Sequence, residues 1–319
     1  MNKNWMTKVA VVLTCMGTVF LSGCTAYLDR NPTDEKQIAL NQATPGLEVI
    51  NDQAAFPEGP AWVDDKLYYV EYAGNTVMTW DGENNTVFWQ QDGTGPSAVM
   101  PVANGEFLVT GYDSNTIIRI SAEGKTIQTY DKDKNGNAFV GPNDFSKDSK
   151  GGVYFTTSGP WESGPIVGKV YYMGSDGTIT EVANDLHYAN GVAVSPDGKT
   201  LYVSESEAHR VIQFDIGEGS LFNRQVFAVI NTLDPDSGEL AYPDGLKVDS
   251  KGNLYIGQYS MGRILVVGPD KALLRTIDVP SPAAPNLNFS PDEAIAYVTA
   301  IDDLDGGTYM GTVYQVPNE

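Results

Sequence analysis

The chain has 319 residues, 33 of them glycine and 19% of them charged, with a formal net charge of −21. So acidic a surface repels nucleic acid and favours solubility and cation binding, and no basic patch with interleaved aromatics offsets it. No long stretch carries the apolar period of an amphipathic helix, which excludes all-α and α/β classes on pattern.

At the start, Lys3 and Lys8 precede an apolar stretch from Val9 to Leu21, which leads into Leu21-Ser22-Gly23-Cys24. A basic segment, a short apolar core and small residues describe an export signal over 1–24 rather than a membrane span. Leu-Ser-Gly-Cys resembles a bacterial lipobox, which implies a lipidated Cys24 and a place in the bacterial cell envelope, facing the periplasm or the cell surface. The lipid would then be the protein's one membrane contact. Cys15 leaves with the signal, so no cysteine remains to form a disulfide. Residues 25–45 are polar, contain proline and lack a period, and read as a flexible tether. The remainder, 46–319, reads as a single domain.

That domain is organised by a repeated hairpin. Ala189-Asn190-Gly191-Val192-Ala193-Val194 alternates on one face, Ser195-Pro196-Asp197-Gly198 turns, and Leu201-Tyr202-Val203 returns. Asp244–Gly252 with Leu254-Tyr255-Ile256 is a second copy, and Asn143–Gly151 with Val153-Tyr154-Phe155 a third. Weaker copies begin at Glu58, Ser97 and Pro285 and return through Leu67–Val70, Phe107–Val109 and Ala296–Val298. Six copies at spacings of roughly 40–55 residues predict an all-β fold, a six-bladed β-propeller with four-stranded blades. The last copy counts three strands, ending at Gly311-Thr312-Val313-Tyr314-Gln315-Val316. The strand-like stretch 47–50 is therefore predicted to complete that blade and close the ring.

In a propeller the first strand of each blade lines the central tunnel. The register places Glu58, Ser97, Asn143, Asn190, Asp244 and Pro285 at one height. Two carboxylates and two amides, with no histidine or cysteine, make a hard oxygen set suited to Ca²⁺ or another divalent cation, and poorly suited to zinc. The bland alternative is that these residues cap inner strands through backbone bonds. Against it, glutamate caps poorly and an unpaired carboxylate is costly to bury.

Phe56-Pro57-Glu58-Gly59-Pro60-Ala61-Trp62, Pro142-Asn143-Asp144, Asn190-Gly191-Val192-Ala193 and Pro243-Asp244-Gly245 resemble the signature segments of the regucalcin/gluconolactonase family, from about Phe56 to Val316. The resemblance implies a calcium-dependent lactonase on a six-bladed propeller, with a metal-site layout shared by organophosphate fluoridases. It implies that Glu58, Asn190 and Asp244 bind the metal and that Asn143 is a further ligand or a substrate contact. One position departs: regucalcin-type aldonolactonases carry arginine two residues before the asparagine matching Asn143, and here that position is Gly141.

The implied chemistry is metal-assisted hydrolysis of a small lactone or ester, with Asp244 as general base or, alternatively, as nucleophile. Loops after each second strand are predicted to bring Tyr72, Tyr112, Trp161, Glu205, Tyr259, Met261 and Tyr309 to the mouth. Of these, Tyr72, Trp161, Tyr259 and Glu205 are the expected substrate contacts besides Asn143, with Trp161 the lid candidate in the glycine-rich 159–168. A phosphotriester or fluoridate hydrolase, and a non-enzymatic ligand-binding propeller, are the alternatives. The protein is expected to act as a monomer. Asp131-Lys132-Asp133-Lys134-Asn135-Gly136 looks like half of a calcium loop, but Pro142 stands where glutamate is needed, so a hairpin tip is the default. His187 is a candidate proton shuttle and His209 a structural residue. Ser158, Ser204 and Ser206 have no readable histidine–carboxylate partners, so a serine hydrolase is not supported.

Overall fold

The computed structural model describes residues 43–161, 166–304 and 307–319. The export segment, Cys24 and nearly all of the tether lie outside the described residues, as does part of the expected lid.

The turns explain why the repeat folds as it does. Val63 pairs with Lys66 across a two-residue loop in which Asp64 and Asp65 have φ of 48° and 60°, the left-handed geometry that matches the twist of a hairpin. Elsewhere an aspartate builds the turn: Asp249 Oδ1 accepts the N–H groups of Lys251 and Asn253, and Asp148 Oδ1 those of Lys150 and Gly152.

Each repeat becomes an antiparallel sheet in simple up-and-down order. The first holds Pro57–Val63, Lys66–Glu71, Thr76–Trp80 and Asn85–Gln90; the second runs from Pro96–Pro101 to Thr126–Tyr130. The third runs from Pro142–Lys147 to Ile179–Leu186, and the fourth from Ala189–Val194 to Leu221–Val229. A fifth run, Tyr242–Val248 to Leu273–Asp278, is joined to Ala283–Phe289, Ile295–Ile301 and Met310–Pro317 by a single pairing of Gln258 with Ala284. Together with Glu48–Ala55 these form one eight-stranded sheet. The N-terminal strand pairs where the missing strand predicted, with Glu48 opposite Gln315 and Val49 opposite Tyr314. The fold is all-β, and its succession of four-stranded sheets is consistent with a β-propeller.

The core lies between the sheets. Among the described residues six apolar clusters occur, each drawing on two neighbouring runs. Val70 and Trp89 of the first sheet pack with Val109 and Ile118 of the second. The series ends where Ala54, Tyr297 and Val313 meet Leu67 and Tyr69 of the first sheet. The first strands also touch in succession, and Pro57–Val63 packs against both Pro96–Pro101 and Ala283–Phe289. All the predicted return strands are second strands of their runs.

Candidate functional site

The first strands do not pair evenly. Their ladders skip residues between Glu58 and Ala61, Pro142 and Phe145, Ala189 and Val192, and Pro243 and Leu246. Such bulges re-aim side chains and leave backbone groups without a ladder partner. Asn143, Asn190 and Asp244 sit in these gaps. Their freed carbonyls are taken by hydroxyls of the preceding sheet: Thr110 donates to Asn143 O at 2.9 Å, Thr156 to Asn190 O at 2.5 Å and Ser204 to Asp244 O at 2.7 Å. Ser158 and Ser206 donate to the carbonyls one residue earlier, Ala189 and Pro243. These serines are therefore supports of the bulges.

Glycine follows three of the four polar residues for a steric reason. A Cβ at Gly191 would lie 2.2 Å from Asp244 O, and one at Gly245 would lie 2.2 Å from the Asn286 side chain. Only glycine lets adjacent first strands approach this closely.

Glu58, Asn143, Asn190 and Asp244 all line one cavity of about 320 Å³, and Ser97 joins them. Pro285, assigned to the same ring, is not among its lining residues. Glu58, Asn190 and Asp244 are buried. Asn143 Nδ2 donates to Ser158 Oγ at 3.0 Å, which fixes its amide. Asn190 Oδ1 is buried with no hydrogen-bond partner.

Burial is the main cause that pushes the Glu58 carboxyl up to about 8, with the N–H of Gly59 opposing and the charge of Asp144 adding to the rise. Asp244 is raised well above its ordinary range, again chiefly by burial and then by the charges of Glu58 and Asp144. Lys247 Nζ stands 3.6 Å from Asp144 Oδ2 and 3.5 Å from Asn286 Oδ1. Neither Asp144 nor Lys247 lines the cavity.

Above this floor the wall is aromatic. Tyr72 and Tyr259 line it as expected, and so does Trp161, whose ring packs against Tyr188 at 4.6 Å, Tyr242 at 5.7 Å and Tyr259 at 6.1 Å. Phe56 joins Tyr72, Tyr259 and Tyr309 on the other side, at 5.5–6.5 Å between centroids. Tyr188 donates to Tyr112, and Tyr112 to the carbonyl of Gly159.

Glu205 is a correction. It is fully buried and does not line the cavity; Arg210 and Arg224 pair with it at 2.6 and 2.9 Å, and the N–H of His187 donates to it. Ser206, the next residue, begins a single helical turn, Ser206–Ala208, past the end of the strand and lines the cavity instead. Met261 and His187 also lie outside the lining residues. His209 packs on Tyr242 and donates through Nδ1 to Ala241 O, so it supports the wall. In the candidate calcium loop, Asp133 accepts N–H bonds from Asn135 and Asn137 and the Asn137 amide, the chemistry of a closed turn.

Sequence reasoning did not single out Phe56, Tyr188, Ser206 or Tyr242 as site residues. Tyr188 and Tyr242 lie two residues before Asn190 and Asp244, a spacing that could have revealed both.

Residues 56–302 match the family model described as the SMP-30/Gluconolactonase/LRE-like region. A lactonase, drp35, from Staphylococcus saprophyticus is 28% identical over 306 residues, covering 88% of this chain and 90% of that protein. A gluconolactonase structure from Xanthomonas campestris superposes with a TM-score of 0.72 at 23% identity, covering 88% of this chain and 92% of that one. For a calcium-binding protein, regucalcin, from Agrobacterium tumefaciens the values are 0.71 and 18%, with coverage of 84% and 92%. These structures share the fold, and the match over residues 56–302 shows that the chain belongs to the SMP-30/gluconolactonase/LRE-like family.

Proposed function

We propose that this chain is a divalent-cation-dependent lactonase, with calcium as its ion, working at the mouth of a six-bladed β-propeller. Family membership and the lactonase relatives support the reaction class. The junction clusters, the last of which returns to the first sheet, support six blades in a closed ring.

The observation that carries the reading is the orphaned Asn190 Oδ1. A buried amide oxygen without a partner is costly, and its residue lines a cavity with two buried carboxylates and, among the described residues, no lysine, arginine or histidine. Glu58, Asn143, Asn190 and Asp244 would hold the ion: four oxygen donors with two formal charges fit calcium in number and kind. When bound, the ion supplies Lewis-acid polarisation of the lactone carbonyl.

The chain's own groups do the rest. The Asp244 carboxylate takes the proton of the attacking water and returns it to the ring oxygen as the lactone opens. The hydroxyls of Ser204 and Thr156 hold the bulged backbone under Asp244 and Asn190, so the donors keep their places through the cycle. The aromatic wall excludes bulk water and orients the ring of the substrate.

In the same reading residues 1–24 are an export signal ending at a lipid-carrying Cys24, 25–45 a tether, and 46–319 one catalytic domain that acts as a monomer in the cell envelope. Mass spectrometry of the mature N-terminus tests the lipid.

The central experiment is an activity screen over sugar lactones, alkyl and aryl lactones, aryl esters and phosphotriesters, with and without chelator. Lactone opening that stops on chelation and returns with calcium is the expected result. Phosphotriester turnover without lactone turnover would replace the reaction, and no turnover of any class would leave a binding propeller.

A further inference from the structure

Building on the calcium reading of the site, we infer that Lys247 is a positioning residue for the ion: a built-in cation that pairs with Asp144, a third buried carboxylate, and holds the Asn286 amide toward Glu58.

Charge is the first argument. Besides Glu58 and Asp244 the chain buries Asp144, the residue after Asn143. Its Oδ1 accepts the N–H of Phe145 at 2.8 Å, whereas its Oδ2 is buried without a hydrogen-bond donor. A carboxylate oxygen so placed needs a cation. Lys247 Nζ supplies one at 3.6 Å, within ion-pair range though beyond a hydrogen bond. The Asp144 charge pushes both Glu58 and Asp244 up, and Lys247 opposes the rise at Glu58. With the three carboxylates ionised, two of their charges would be balanced by a divalent ion, and the third is balanced by Lys247.

Geometry is the second. The ammonium joins the first strands of three runs: its own, Tyr242–Val248, that of Asp144, Pro142–Lys147, and that of Asn286, Ala283–Phe289. Asn286 Oδ1 accepts from Lys247 Nζ at 3.5 Å and from the N–H of Leu287 at 2.9 Å. With the oxygen so engaged, the amide is left to donate through Nδ2 to the Glu58 carboxyl, its hydrogen-bond partner. Lys247 thus acts on the site through Asp144 and Asn286 while staying out of the cavity lining.

The repeat supplies the third. The second residue past the ladder gap of the third, fourth and fifth runs is Ser146, Ala193 and Lys247, each opposite a tyrosine of the second strand. Serine and alanine bring no charge to that place. Lys247 brings an ammonium on a side chain only 17% exposed, a costly burial unless it neutralises something.

The test uses two substitutions and no lactone. Lys247→Met keeps an unbranched apolar stem and removes the charge; Asp144→Asn removes the charge it answers. In the metal-free protein Lys247→Met should lower the urea midpoint, and adding Asp144→Asn should bring it most of the way back. Calorimetric titration with calcium, at one alkaline pH, gives the readout that a packing role would not move. Lys247→Met leaves a surplus negative charge beside the donor set, so it should bind calcium about tenfold more tightly than the unaltered protein. The double variant should lose that gain.

Unchanged or weaker calcium binding by a folded Lys247→Met protein overturns the inference, and so does a double variant no different from Lys247→Met. If Lys247→Met does not fold without calcium, the double variant decides: a folded double upholds the pairing and an unfolded one overturns it. Calcium binding that follows this pattern with no lactone opened upholds the inference and sinks the lactonase reading. An unaltered protein that binds no calcium sinks the ion site and the role assigned to Lys247 in it, whatever the urea midpoints show of the Asp144 pair.

Discussion

Glu205 Oε1 accepts the backbone N–H of His187 at 3.0 Å, joining a fully buried carboxylate to the segment that delivers Tyr188 and Asn190 to the cavity. That segment is held against its own preference. Asp185 and Tyr188 both have positive φ, 56° and 55°, an uncommon geometry for residues other than glycine. Arg224 braces it further, donating to Asp185 O at 3.2 Å and to Glu205 Oε1 at 2.9 Å. Removing the carboxylate would leave Arg210 and Arg224 without their partner and release His187. Glu205→Ala should therefore destabilise the protein by about 3–5 kcal/mol, read by denaturant unfolding. Glu205→Gln should cost less, because an amide oxygen can still accept from His187. Equal losses for the two variants would mean that the His187 bond contributes little.

The hydroxyl supports allow a finer test. Ser204→Ala leaves Asp244 O without its donor, while the Asp244 side chain itself is untouched. A loss of about 1–3 kcal/mol in stability is expected, together with weaker calcium binding by titration calorimetry. Asp244 is held in a bulge, so a shift in its backbone moves its carboxylate. A Ser204→Ala protein with unaltered calcium affinity would show that the carbonyl bond sets stability alone.

Much of this was legible in the sequence because the signals were local. The Pro-Asp-Gly and Asp-Ser-Lys-Gly turns fixed the register, and the register brought Glu58, Asn143, Asn190 and Asp244 to one cavity. The strand 48–55 could be predicted from a missing partner, since an open blade exposes two edges. What escaped was decided by contacts between sheets. Glu205 looks like a rim carboxylate until Arg224, on a strand two places along, is seen to neutralise it. The hydroxyl supports were equally hidden, because Ser204 reaches a residue 40 positions away. Pro285 stands one place later in its ladder gap than Asn143, Asn190 and Asp244 do in theirs, because Ala283 is the last paired residue before it, and it offers no donor side chain.

Stability should depend on pH and on calcium together. Burial raises Glu58 to about 8 from an ordinary value of 4.5, and Asp244 moves in the same direction. Between those values the metal-free folded state holds protons that the unfolded chain has released. Its stability must therefore fall as pH rises from about 4.5 toward 8. Below the ordinary carboxylate range both states are protonated and the dependence vanishes. In the proposed reading calcium would bind the deprotonated pair, so the thermal shift on adding calcium should grow over the same interval. Melting curves of chelated and calcium-loaded protein from pH 5 to 8 would check this; a calcium shift that shrinks as pH rises contradicts it.

The last prediction separates holding the ion from moving the proton at Asp244. Asp244→Asn keeps an oxygen donor of similar size but removes the charge and most of the basicity. If the Asp244 carboxylate is the general base, turnover should fall by about 10²–10⁴-fold. Part of that loss could come from weaker calcium binding, since the donor set would keep a single carboxylate, Glu58. Titrating calcium to saturation divides the two effects, because added ion refills a weakened site but cannot restore a missing base. Asn143→Asp supplies the contrast. It adds a negative charge beside Ser158 without touching Asp244, and should tighten calcium while slowing turnover, as a more negative ligand set makes the ion a poorer Lewis acid. Recovery of full Asp244→Asn activity at saturating calcium would reduce Asp244 to a ligand. The base would then have to be Glu58, the other carboxylate in the cavity lining.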